Sequence, residues 1–104
     1  MTRLAEKYYL DAYRMHKDPE LSDASNLALT WVKLGKAAEA KTLLEKHLEK
    51  GGPTAQVAAA HFNLGLIEQQ LGDLGAAIRH YERANEVEST PARREKIEAI
   101  RKLQ

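Results

Sequence analysis

Apolar residues recur along this chain at helical spacing, and each run of them stops at a Gly or Pro. Pro19, Gly35, the trio Gly51-Gly52-Pro53, Gly72 and Pro91 divide the chain into six segments. Within each segment Ala, Leu, Glu, Lys, Arg and Gln dominate, and runs of β-branched residues are missing. The pattern predicts helices near 2–17, 21–34, 37–50, 54–71, 74–88 and 91–103. Asp18-Pro19, Gly51-Gly52-Pro53 and Thr90-Pro91 disfavour continued helical geometry, while Ser22, Asp23, Thr54, Asp73 and Thr90 are candidate N-caps.

The stretch NLGLIEQQLGDLGAAIRHYERA, residues 63–84, places small residues at Gly65, Ala77 and Ala84, where a lone amphipathic helix would prefer Leu. Repetition explains them. Asn26, Leu27, Leu34, Gly35, Ala40 and Leu44 recur as Asn63, Leu64, Leu71, Gly72, Ala77 and Tyr81, each pair 37 residues apart. Such matching across a turn and two helices is an internal duplication, the signature of an α-solenoid. Small side chains belong where two helices approach closely, with Leu64, Leu71, Tyr81, Trp31 and Leu44 filling the space beside them.

The set Leu64-Gly65, Gly72-Asp73, Ala77, Tyr81 and Ala84 resembles a tetratricopeptide repeat running from Ala58 to Pro91. A first copy over 21–54 resembles it less fully, with Ala28 in the small-residue place, Trp31 in the aromatic place and His47 where the second Ala belongs. Ala5, Tyr9 and Ala12 repeat the spacing of Ala77, Tyr81 and Ala84, so residues 1–20 read as a lone second helix. Residues 92–104 read as a capping helix. The resemblance implies a single all-α domain: two helical hairpins flanked by a half-repeat and a cap.

Composition removes whole classes of chemistry. There is no Cys, hence no thiol nucleophile, disulfide or thiolate metal site. A net charge of +1, from 16 basic and 15 acidic residues spread through the chain, argues against a nucleic-acid binder with its basic stripe. No apolar run is long enough to insert into a membrane, and the first residues lack the apolar core and cleavage site of a signal peptide. A cytoplasmic location is therefore expected, with a periplasmic one or membership of a larger protein left open. His16, His47, His61 and His80 lie on different helices without a His-Glu-x-x-His pair, and neither a phosphate loop nor a nucleophile elbow is present. The expectation is a non-enzyme without cofactor or metal.

His61 and Glu68 stand apart, two helical turns from each other at places where the family usually buries aromatic residues. They read either as a polar or metal-binding pair or as groups partnered by neighbouring helices, and alone they supply too few ligands for a defined metal site. In tetratricopeptide proteins the first helix of each repeat lines a concave groove that holds a peptide. That resemblance puts Asn26, Leu29 and Lys33 in the groove from the first copy, and Phe62, Asn63, Leu66 and Gln70 from the second. Ser22, Ser25, Val32, Ala59 and Gln69 share the same face. Asn side chains can donate to and accept from a peptide backbone together. Phe62 reads equally as groove or core. Some relatives grip a carboxylate with a Lys/Asn/Arg clamp; Asn63 and Arg93 match parts of it, whereas Ser25, Leu29 and Ile97 do not. The implied partner is a protein or peptide. The alternative is a self-associating scaffold, a homo-oligomer formed through the Tyr-rich first helix, with Tyr8, Tyr9 and Tyr13 as candidate contacts.

Overall fold

The computed structural model describes residues 2–16 and 20–103. Among them lie six helices: α1 (Thr2–Met15), α2 (Leu21–Lys33), α3 (Ala37–Lys50), α4 (Thr54–Gln70), α5 (Leu74–Val87) and α6 (Pro91–Arg101). Each ends within two residues of the expected place. Lys17 and the Asp18-Pro19 break lie outside the described residues. Successive helices pack on one another, and α2 also packs on α4, the contact that stacks one helical hairpin on the next.

The α2–α3 and α4–α5 turns are copies at the level of individual hydrogen bonds. After α2, the Lys36 amide donates to the Trp31 carbonyl at 2.8 Å and the Gly35 amide to Val32 at 3.1 Å. After α4, Asp73 donates to Glu68 at 2.9 Å and Gly72 to Gln69 at 3.1 Å. These close the last turn and turn the chain through a residue with positive φ, 79° at Gly35 and 86° at Gly72, which glycine adopts without strain. The duplication read from residue spacing is thus a duplication of backbone geometry.

Helix starts differ from expectation in part. Asp73 Oδ1 accepts the Ala76 amide at 3.0 Å, and Thr90 Oγ1 accepts the Arg93 amide at 3.2 Å, so both are caps as expected. Ser22 and Thr54 lie inside their helices instead, and the flanking positions are taken by Glu20 and Pro53. Asp23 acts from the third helical position, its carboxylate accepting the Glu20 amide at 2.9 Å.

The core lies in two clusters along the stack. Leu21, Ala24, Ala28, Ala40, Leu44, Leu64 and Ile67 form its first part, with Trp31 packed against them. Ala77, Ile78, Tyr81, Ile97 and Ile100 form its second, joining α6 to α5. Gly65 is the closest approach. A Cβ there would stand 2.5 Å from the Tyr81 ring, so the ring occupies the volume that every other residue type would fill. Leu71, expected among the filling residues, is instead exposed, because α4 ends at Gln70 and Leu71 turns outward with the chain.

Candidate functional site

A cleft of about 490 Å³ crosses the first helix of each hairpin and the last helix. Leu29, Val32 and Lys33 of α2, Leu66, Gln69 and Gln70 of α4, and Lys96 of α6 line it. Its apolar residues sit at i, i+3 spacing on α2, which places Leu29 and Val32 on one stripe. The glutamines and lysines rim that stripe.

The polar rim is biased toward donors. Gln69 Oε1 accepts the Tyr81 hydroxyl at 3.1 Å, which leaves the Gln69 NH2 as the group free to meet a ligand. Lys33 and Lys96 each bring a cation, and the lining residues include no carboxylate. The Lys96 ammonium also stands 6.0 Å from the centre of the Tyr81 ring. Burial pushes the Tyr81 phenol up to about 12, so it remains a neutral hydrogen-bond donor to Gln69 at physiological pH.

Of the residues assigned to a groove from the sequence, the cleft gathers Leu29, Lys33, Leu66 and Gln70. Asn26, Phe62 and Asn63 do not line it. Phe62 packs on Tyr81 with ring centroids 5.1 Å apart and joins the second part of the core. Asn63 is buried, as is Ser25 on the same face, whereas Asn26 is exposed. Arg93 is occupied at the α5–α6 turn, donating to the Glu88 carbonyl at 2.7 Å and its carboxylate at 3.1 Å. Lys96 of α6 joins the cleft although it is not among the groove residues expected from the sequence. Carrying the 34-residue step into α6 places Lys96 at the position of Phe62, a signal already present in the spacing.

His61 and Glu68 each find a partner on another helix, and not each other. Glu68 is 3% exposed and its carboxylate meets the Lys41 ammonium of α3 at 2.9 Å, an ion pair that bridges the two hairpins. The Glu68 hydrogen bond and charge hold the Lys41 ammonium above its ordinary pKa. The His61 ring stacks on His80 of α5, centroids 5.6 Å apart, with the two Nδ1 atoms at 3.4 Å. Burial depresses both imidazole pKa values, and at His61 the facing ring adds to the effect.

On α1, Tyr8 is exposed and packs edge-on against Tyr9 at 5.3 Å. Tyr13 is half-buried and shares a 2.6 Å hydrogen bond with His47 Nε2. This contact accounts for a histidine at a place where the second copy keeps Ala84. No described helix is long and apolar enough to cross a membrane.

The fold matches a solved chain from the TPR2AB-domain:pHSP90 complex of yeast Sti1, with a TM-score of 0.85 at 22% identity. The match covers 97% of this chain and 40% of that one, so this chain spans well under half the solved chain's length. No curated protein matches it. The family model for the tetratricopeptide repeat, whose members are in general non-enzymatic protein-interaction modules, matches residues 20–87. Repeated turns, a Gly65–Tyr81 contact and that match together establish that the chain belongs to the tetratricopeptide repeat family.

Proposed function

We propose that the protein is a non-catalytic interaction module whose cleft holds a peptide segment carrying an apolar side chain beside an anionic group. The observation that carries this reading is the cleft's composition: an aliphatic floor of Leu29, Val32 and Leu66, with Lys33 and Lys96 and no acid among the lining residues. An aliphatic side chain gains by leaving water against that floor, and two rim cations favour a carboxylate and raise its association rate. The similar Sti1 domain is seen in complex with pHSP90, which supports a protein or peptide partner. Asn26, Phe62 and Asn63 do not line the cleft and make no ligand contact in this reading; Phe62 acts only through its packing on Tyr81.

Fluorescence anisotropy with labelled acidic-aliphatic peptides tests the proposal. Binding that weakens about tenfold in Lys33→Glu/Lys96→Glu, and steeply with added salt, supports it. Equal affinity for a basic peptide of the same apolar content overturns it.

A second reading is favoured by the exposure of Leu4, Tyr8 and Met15 on α1, at 66%, 69% and 82%. Those side chains would be the contact of a self-associating form. Tyr9 and Tyr13 contribute less, since both are half-buried within the chain.

A further inference from the structure

We infer that His61 and His80 form a binding site for one late first-row divalent metal ion, Cu2+ or Zn2+, outside the peptide cleft. The two imidazoles come from adjacent helices and present the same atom, Nδ1, to one another at 3.4 Å. Two nitrogens on a tetrahedral ion with metal–nitrogen bonds of about 2.0–2.1 Å stand about 3.3–3.4 Å apart. The pair therefore already has the spacing that a bound ion imposes, and small ring rotations turn both lone pairs toward a common point.

Proton accounting is simple. In the metal-free pair one ring donates through Nδ1–H and the other accepts, so the two neutral rings are opposite tautomers. On metal binding the donating ring moves its proton to Nε2, and both Nδ1 atoms coordinate without net proton loss. Each ring is half-buried, open enough for an ion to enter and held enough by its helix to keep its place.

Nearby charge is mixed. Glu45 and Glu68 act on His80 and Glu86 on His61, opposed by Lys41, Arg79 and Arg83. Among the described residues no third His, Cys, Asp or Glu completes a ligand set, so water fills the remaining positions. A two-imidazole site of this kind follows the affinity order of nitrogen ligands, Cu2+ above Zn2+, and ignores Mg2+ and Ca2+. The sequence singled out His61 but paired it with Glu68 rather than His80, because His61 and His80 are 19 residues apart and meet only across the α4–α5 hairpin.

Isothermal titration of CuCl2 and ZnCl2 into the EDTA-stripped full chain tests the inference, with MgCl2 as the hard-cation control. The expected result is one ion per chain, with affinity reduced at least about tenfold in His61→Gln and in His80→Gln and unchanged in His16→Gln. Helicity by circular dichroism identifies a variant that fails to fold. Substoichiometric Cu2+ added to the wild-type chain gives a second readout: the imidazole resonances of His61 and His80 broaden while those of His16 and His47 stay sharp. Absence of heat at millimolar metal, a His61→Gln/His80→Gln double variant that binds like wild type, or broadening centred elsewhere overturns the inference.

Discussion

The hairpins α2–α3 and α4–α5 have the same backbone turns but solve the same packing problems with different side chains. At their close approach the first pairs Ala28 with Leu44 and the second pairs Gly65 with Tyr81. One methyl is lost and an aromatic ring gained, so volume is traded across the contact rather than added. The turns divide in the same way. Asp73 caps α5, whereas its counterpart Lys36 makes no side-chain cap and instead reaches Glu6 of α1 at 2.9 Å. A repeat in contact with α1 devotes its variable positions to that neighbour, while a repeat deeper in the stack devotes them to itself.

The largest effect is expected where the hairpins are joined. Lys41→Met leaves the Glu68 carboxylate buried without its cation, and urea denaturation should show a loss of about 3 kcal/mol. Glu68→Leu should fall within about 1 kcal/mol of wild type, because Lys41 can turn its ammonium to water and Trp31 fills the equivalent place in the first copy. A Glu68→Leu variant as damaged as Lys41→Met would break the comparison.

Next comes the close approach itself. Gly65→Ala should cost about 2 kcal/mol, since the methyl meets a ring that is itself fully buried. Adding Tyr81→Leu recreates the Ala28–Leu44 pairing, and the double variant should recover part of that loss. Purely additive costs in the four-member cycle would show that the two contacts are not alternatives.

These outcomes bear on what could be read beforehand. Spacing identified the six helices, the glycine turns and the small residues, because a packed helix repeats its constraints every turn. It did not identify the partners of Glu68 and His61. Periodicity tells which face of a helix a residue lies on but not what the opposing helix presents, and Lys41 and His80 are set by the stacking of whole hairpins. Phe62 illustrates the same limit, since one face of α4 turns gradually from the cleft to the α5 contact. Ser22 and Thr54 were misplaced as caps because Glu20 and Pro53 begin the helices one or two residues sooner.

Smaller effects sharpen the contrast between the turns. Asp73→Ala removes a cap and should lower stability by about 1 kcal/mol in a thermal melt. Lys36→Ala should shift the melt less, its partner being a solvated carboxylate. The smallest change is expected from Tyr8→Glu, which should leave the melt unaltered. If α1 mediates self-association, light scattering on that variant should show loss of a concentration-dependent dimer, and an unchanged mass would remove Tyr8 from such a contact.

Helix α1 contains no buried residue; it is tied to the stack by half-buried Tyr13, which packs on the first part of the core and bonds His47, and by the Glu6–Lys36 ion pair. The free energy of releasing it is therefore far below that of dissolving the stack. In hydrogen exchange its amides should form a separate cooperative unit that opens first, while α4 and α5 open only with global unfolding. Opening of α1 on its own would free His47 from Tyr13 while leaving in place the α2, α4 and α6 residues that line the cleft.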